Sequence, residues 1–358
     1  MKNIFKSIAY SVFLAGTGLL MASCDTDVEP VDINEPSILT QNSALYADYL
    51  DNLKKFKASS HKVTFGWFDN SEKTPYTQGQ HIHSLPDSLD YVVLTNPDNL
   101  TSDEMREMKE VRDKKATKVL YEINYNDIRT AYNAEKKLFD DSNDNPLVSF
   151  RDFNGYLVDS VSTLLDICTR YAYDGIVFTY NGKSKMYMYD DEASEEVGYE
   201  NDFIGIAKDW ADRHADKDFV IMGKPQYVQD TTIFQMAKYI IIPCQKDVTE
   251  AGVAYHVNTA LVEGVPANKL LPFVSMTSLD ESDKSTGYWV ANTPGENGKW
   301  ENKRIAVIGT AQWVASEHKF YDIAGMAIDM IGNDYFHADF TYPNVRKAIS
   351  IINPTVKK

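Results

Sequence analysis

Eight short runs of apolar, largely β-branched residues recur along the chain, and this recurrence constrains the fold most. The runs are Val63–Phe68, Tyr91–Thr95, Thr117–Ile123, Gly175–Tyr180, Phe219–Met222, Tyr239–Pro243, Leu270–Ser275 and Ala324–Asp329. Most of them lack polar alternation, which is typical of strands that are covered on both faces. Amphipathic helical patterns, such as residues 156–171, lie between the runs. Strands that alternate with helices predict a parallel sheet.

The number of strand–helix units favours one parallel-sheet architecture over another. Eight units within residues 42–358 predict a single (β/α)8 TIM barrel, a fold of about 250 residues plus insertions. The alternative is an open doubly wound sheet, which usually has a glycine-rich phosphate loop after its first strand. Here the sequence WFDNS, residues 67–71, stands at that place. In a barrel, the long segments 127–154, 181–199 and 277–303 would build the C-terminal face, where active sites lie.

The N-terminus predicts export and a lipid anchor. Residues 1–23 combine two early lysines with an apolar stretch that is short for a bilayer span, as in a signal peptide. The sequence Met-Ala-Ser before Cys24 resembles a lipobox, so we expect cleavage after Ser23 and lipidation of Cys24. An ordinary secretory signal is the alternative. Residues 24–41 lack periodicity and predict a tether, which would attach the protein to a membrane without spanning it.

Charge and cysteine content exclude several classes of protein. The net charge of −16 disfavours nucleic acid as a partner, because phosphates would be repelled. Three cysteines cannot form a disulfide framework, and whether Cys168 and Cys244 pair stays open.

The sequence predicts neither a metal site nor a cofactor site. His81 and His83 have no cysteine or third histidine nearby in sequence, so we interpret them as part of a solvated loop and expect no metal. Phosphate-loop and H-E-x-x-H patterns do not occur, and we expect no cofactor.

The fourth strand carries a resemblance to a known family. Residues 171–181, YAYDGIVFTYN, resemble the signature strand of family 18 glycoside hydrolases, the chitinases and endo-β-N-acetylglucosaminidases, whose pattern is D-G-x-D-x-D-x-E. The resemblance implies that the pattern's final Glu protonates the glycosidic oxygen, while the Asp before it positions the substrate acetamido group. Asp174-Gly175 match the pattern, but Val177, Thr179 and Asn181 replace its three acids. Since none of these can donate a catalytic proton, we expect no family-type catalysis.

The predicted strand ends carry aromatic, amide and carboxylate side chains that can bind carbohydrate. Aromatic faces bind the apolar sides of sugar rings, and amides and carboxylates bind hydroxyls. The candidate glycan-binding residues, near the strand ends or in the segments that follow them, are Trp67, Asn70, Asn124, Tyr125, Thr179, Asn181, Gln226, Tyr227, Gln245, Trp289, Asp329 and Asn333. Asp174 begins its strand, on the stability face of a barrel, and is interpreted as structural.

These features together predict a function. The acidic segment after Cys24 resembles the export signal of surface lipoproteins in Bacteroidetes-type bacteria, and we expect an outer-membrane, cell-surface location, the periplasmic face being the alternative. The resemblances imply a non-catalytic lipoprotein of a polysaccharide-utilisation system. It would capture GlcNAc-containing, N-glycan-type oligosaccharides beside a hydrolase and an outer-membrane importer.

Two other functions stay open. One is a weakly active endoglycosidase that uses relocated carboxylates such as Asp127 or Asp329. The other is a barrel that docks the importer and binds no sugar.

Overall fold

The computed structural model describes residues 43–142, 147–186, 188–290, 304–337 and 340–354. The described residues from Tyr49 onward form one compact unit. The predicted signal peptide, Cys24 and the tether lie outside the described residues. Within the described ranges, no helix combines the length and apolarity needed to cross a membrane.

Eight parallel strands close into a barrel, which confirms the (β/α)8 architecture and excludes the open sheet. The barrel strands are β1 (Val63–Phe68), β2 (Tyr91–Leu94), β3 (Lys118–Asn124), β4 (Gly175–Tyr180), β5 (Asp218–Gly223), β6 (Tyr239–Pro243), β7 (Leu270–Ser275) and β10 (Gly325–Asp329). They follow one another around the barrel in this order, and β10 returns to pair with β1. Each predicted run agrees with its strand to within one residue at either end.

Helices cover the outside of the barrel. They are α1 (Ser43–Ala58), α2 (Ser102–Lys115), α3 (Tyr125–Ser142), α4 (Phe153–Arg170), α5 (Asp190–Arg213), α6 (Ile233–Met236), α7 (Glu250–Ala260), α8 (Ala306–Ala315) and α9 (Pro343–Ile352). Two short strands, β8 (Tyr288–Trp289) and β9 (Arg304–Ile305), pair antiparallel outside the barrel. Segments 127–154 and 181–199, expected to build the C-terminal face, belong in large part to α3, α4 and α5.

Strand alternation fills the barrel with apolar side chains. Phe65 and Trp67 of β1 join Val177 of β4 and Phe273 of β7 in one buried cluster inside the barrel. A second, larger cluster lies between the strands and the helices. Successive side chains point to opposite faces of a strand. Residues two or four positions along the same strand from a member of the barrel cluster therefore also face the interior. The interior is therefore a packed core that opens only where polar residues replace apolar ones near the strand ends.

The pair Asp174-Gly175 has a structural role at the start of β4. The Asp174 carboxylate accepts hydrogen bonds from Arg112 Nε at 2.8 Å and from the backbone N–H of Val119 at 2.8 Å. A Cβ atom on Gly175 would lie 2.0 Å from the backbone oxygen of Asp218 on β5. The aspartate thus anchors helix α2 and strand β3 to the turn, and the glycine lets β5 approach β4. These contacts agree with the structural interpretation of Asp174.

Candidate functional site

One cavity opens at the carboxyl ends of the barrel strands. Its volume is about 510 Å³, which is within the range of small-molecule sites. Residues from seven of the eight barrel strands, from the segment after β6 and from α7 line it, including Trp67, Glu122, Thr179, Asn181 and Asp329. The remaining lining residues are Asn124, Met222, Lys224, Pro243, Cys244, Gln245, Lys246, Asp247, His256 and Phe273.

Glu122 on β3 is a carboxylate of this cavity that sequence reasoning missed. Its side chain accepts hydrogen bonds from Trp67 Nε1 at 2.9 Å and from Asn124 Nδ2 at 3.0 Å. Burial raises the pKa of Glu122 and outweighs these two hydrogen bonds, which lower it. An isolated Glu within an apolar strand, two residues from the inward-facing Leu120, was the available signal.

The pH dependence of stability should report the environment of Glu122. A carboxyl with a raised folded-state pKa binds more protons folded than unfolded, so its contribution to stability falls as pH rises through the window that begins near its unfolded pKa of about 4.3. We expect Glu122→Gln to remove this fall and to equal or exceed wild-type stability at neutral pH. Urea unfolding from pH 4 to 8 would measure it. A Glu122→Gln protein less stable than wild type at pH 7 to 8 would contradict the buried-charge account.

Asp329 supplies a second carboxylate at the end of β10. Its Oδ1 accepts the backbone N–H of Met330 at 2.9 Å, and its Oδ2 accepts the Ser275 hydroxyl at 3.3 Å. Burial raises the pKa of Asp329, and this effect exceeds the lowering by its two hydrogen bonds. Two carboxyls with raised pKa values therefore line the same cavity.

Val177, Thr179 and Asn181, which stand where the family 18 pattern has its three acids, differ in their environments. Val177 is fully buried in the barrel core and is the register partner of Glu122. Thr179 and Asn181 line the cavity. The Thr179 hydroxyl lies beside the Glu122 carboxylate, outside hydrogen-bond geometry with it. The Thr179 Oγ1 and Asn181 Oδ1 atoms are buried and have no hydrogen-bond partner among the described residues. Such atoms are normally satisfied by water or ligand.

The structure brings half of the predicted glycan-binding residues to the cavity. Those that line it are Trp67, Asn124, Thr179, Asn181, Gln245 and Asp329. Those that do not line it are Asn70, Tyr125, Gln226, Tyr227, Trp289 and Asn333.

Two of the three aromatic residues in the second group, Tyr125 and Trp289, are buried by packing. Tyr125 is 3% exposed and contacts the rings of Tyr180 and Phe203, because α3 starts immediately after β3 and directs this side chain outward. Trp289 is 2% exposed and packs against Gly309 on α8. Tyr227 lies in a short 3-10 helix, Pro225–Tyr227, that also holds Gln226.

Two of the three amide side chains in that group, those of Asn70 and Asn333, hold loops. Asn70 is buried and donates to the backbone oxygen of Asn96 and to Glu104 Oε1. Asn333 donates to the backbone oxygen of Thr277 at 3.0 Å. Asp127, named above as a possible relocated carboxylate, lies on α3 in a surface groove with Arg151 and not in the barrel cavity. Of the two relocated carboxylates considered from sequence, only Asp329 reaches the cavity.

The described histidines and cysteines differ from expectation in one respect. His81 and His83 are not a solvated loop: their Nδ1 atoms lie 2.6 and 3.2 Å from Oε1 of the buried Glu107. Burial would raise the pKa of Glu107, but the hydrogen bonds with the two histidines lower it to about 2. Cys168 and Cys244 are both buried, unpaired thiols, which answers the open question of a disulfide between them.

Fold and cavity together define a (β/α)8 barrel whose ligand site lies at the carboxyl ends of its strands. The chain belongs to glycoside hydrolase family 18, because the model for "Glycoside hydrolase family 18, BT1044-like" matches residues 26–351. No curated protein matches the chain. Membership of this family is consistent with either glycan binding or glycan hydrolysis.

Solved structures share this fold. A selenomethionine structure of a BT1044 variant is 17% identical, with a TM-score of 0.57 over 87% of this chain and 94% of the other. The apo endo-β-N-acetylglucosaminidase of Cordyceps militaris is 13% identical, with a TM-score of 0.57 over 86% of this chain and 96% of that one. A mutant of the same enzyme in complex with fucosyl-N-acetylglucosamine-Asn is 13% identical, with a TM-score of 0.55 over 85% and 95% of the two chains. At these identities the likeness is one of fold.

Proposed function

We propose that this family 18 barrel captures GlcNAc-containing, N-glycan-type oligosaccharides in its cavity without cleaving them. The observation that carries the proposal is Asn181, which lines the cavity where the family pattern has its proton-donating Glu. An amide can bind a sugar hydroxyl but cannot protonate a leaving group. Val177 and Thr179, at the other two acid positions, offer no carboxylate either.

The remaining chemistry of the cavity supports binding. Trp67 and Phe273, whose ring centroids are 4.4 Å apart, give an apolar floor for the carbon face of a sugar ring. The unpartnered oxygens of Thr179 and Asn181, together with Gln245, are suited to hydroxyl and acetamido groups. A ligand that satisfied the two buried oxygens would recover the free energy that their desolvation costs.

The proposal extends to location and partners. A lipid on Cys24 would hold the barrel at the outer membrane, with residues 24–41 as a tether that allows the cavity to face the outside of the cell. The partners of such a capture protein would be a hydrolase and an outer-membrane importer of the same polysaccharide-utilisation system. Support for this part comes from the sequence of the N-terminus and from the family.

A second candidate function is hydrolysis through relocated acids. The observation that favours it is the pair Glu122 and Asp329, both in the cavity and both with raised pKa values. A general acid must be protonated at the working pH, and burial is a common way to achieve this. Glu122 adjoins Val177 in register, so a carboxyl that the family pattern places on β4 would here act from β3.

One titration separates the two functions. The full chain carrying Cys24→Ser is titrated calorimetrically with a released N-glycan mixture, and mass spectrometry afterwards shows whether the glycans are intact. For capture we expect a dissociation constant on the order of micromolar, intact glycans, and about tenfold weaker binding by Asn181→Ala. Asn333→Ala is the matched control, because this amide lies outside the cavity lining and should leave binding unchanged.

Other outcomes assign the other functions. Trimmed glycans, with trimming abolished by Glu122→Gln, would refute capture and establish hydrolysis. Absence of both heat and trimming would refute both for N-glycans and favour the protein-docking barrel.

A further inference from the structure

Three potential metal ligands meet at one wall of the cavity. Cys244 directly follows β6, Asp247 lies three residues later, and His256 lies on α7. One ligand atom of each lies within 4.8 Å of the other two, and His256 Nδ1 is 2.8 Å from Asp247 Oδ2. All three residues line the cavity. Cys244 and Asp247 are nearly buried, whereas the His256 side chain is 35% exposed.

We propose that Cys244, Asp247 and His256 bind a divalent transition-metal ion of the Zn²⁺ class, with a fourth coordination position directed into the cavity. Zinc takes S, N and O ligands, and catalytic zinc sites have three protein ligands and one open position. The donor set favours zinc or cobalt over magnesium or calcium, which take oxygen ligands. This site does not depend on glycan capture.

The geometry needs only small side-chain movements. Zinc bonds of about 2.0–2.3 Å place tetrahedral ligand atoms roughly 3.3–3.8 Å apart, and the three ligand atoms are already within 4.8 Å of one another. Gly252, one helical turn before His256 on α7, makes room for the carboxylate, because a Cβ there would lie 2.8 Å from Asp247 Oδ1. The chain thus leaves Asp247 in contact with both other ligands.

Charge and protons balance at the site. A thiolate, a carboxylate and a neutral imidazole carry two negative charges, which a divalent cation neutralises in this half-buried wall. The Cys244 thiol loses one proton to solvent when its sulfur coordinates the ion. A neutral imidazole coordinates through one ring nitrogen and keeps its proton on the other.

A second group of potential metal ligands in the described residues differs from this site in its contacts and in its donor atoms. His81, His83 and Glu107 could also hold a metal by proximity. Their contacts are already those of a loop anchor, because Glu107 binds both imidazoles through Oε1 and the Ile82 backbone N–H through Oε2. This cluster contains no sulfur, so a thiolate signal distinguishes the two locations.

Cobalt substitution tests the proposal. The full chain carrying Cys24→Ser is stripped with a chelator and titrated with Co²⁺, and the near-ultraviolet thiolate-to-cobalt charge-transfer absorption is recorded. We expect saturation at one equivalent and displacement by Zn²⁺. Cys244→Ser should abolish the band, whereas Cys168→Ser, which changes the other described buried thiol, should retain it. His256→Gln keeps the sulfur and should weaken cobalt binding by at least about tenfold.

Two results would overturn the proposal. One is the absence of a charge-transfer band at excess Co²⁺, and the other is a band that survives in Cys244→Ser and disappears in Cys168→Ser. Circular dichroism of each variant checks the fold. If Cys244→Ser fails to fold, His256→Gln decides the question, because its half-exposed side chain can change without disturbing the core. Unchanged cobalt affinity in that variant contradicts the site.

Discussion

Gly175→Ala is expected to lower the free energy of unfolding by about 3 kcal/mol or more, since the new methyl group has no space. A Cβ at this position would lie 2.0 Å from the backbone oxygen of Asp218 and 2.8 Å from its backbone nitrogen. Because these are backbone atoms of the paired strand β5, relief requires the β4–β5 ladder to separate. Urea unfolding followed by tryptophan fluorescence measures the change.

Gly198→Ala is the matched control. Gly198 lies within α5 and is exposed, and a Cβ there would meet no heavy atom within 4 Å. Alanine in a helix interior is favoured over glycine by about 0.5–1 kcal/mol, so this variant should be slightly more stable than wild type. Equal stabilities of the two variants would contradict the steric account of the Asp174-Gly175 pair.

Trp67→Ala is expected to cost about 3–5 kcal/mol of folding free energy, the usual range for a buried aromatic residue, and to abolish glycan binding. Trp67 is 4% exposed, contacts Phe273 and donates to Glu122. Its loss would leave a void under the cavity and remove one of the two side chains that donate to this carboxylate in the described structure. Thermal unfolding and the glycan titration measure the two effects.

Trp67→Phe separates packing from hydrogen bonding. It keeps most of the apolar contact and removes the N–H donor, so we expect a smaller loss of stability and a further rise in the pKa of Glu122. Trp67→Ala protein that binds glycans as wild type does would show that this ring is core and not the floor of a sugar site.

The carboxyls with raised pKa values in this cavity lie on strands other than β4, where the family 18 pattern places its acids. The end of β4 is neutral, whereas Glu122 on β3 and Asp329 on β10 are carboxyls whose pKa values are raised by burial. Buried carboxyls are costly to ionise, and they persist where a function or a compensating contact requires them. The Glu122→Gln variant therefore bears on stability and on the choice between capture and hydrolysis.

The sequence by itself determined the strands, the barrel and the family. The apolar runs are local features, and their spacing with helical patterns allows few topologies, so each strand was predicted to within one residue. The Asp174-Gly175 motif and the neutral residues Val177, Thr179 and Asn181 are likewise visible without coordinates. These properties depend on neighbours along the chain.

Only the tertiary structure decided which side chains meet. Asn124 ends β3 and Tyr125 directly follows it, yet one residue of offset turns Tyr125 to the outer layer, because side chains alternate across a strand. Glu122 was hidden in an apolar run, and its donor Trp67 is 55 residues away. Cys244 and His256 come together because β6 and α7 pack side by side. Strand direction and packing between distant segments fix such contacts, and neither is encoded in local composition.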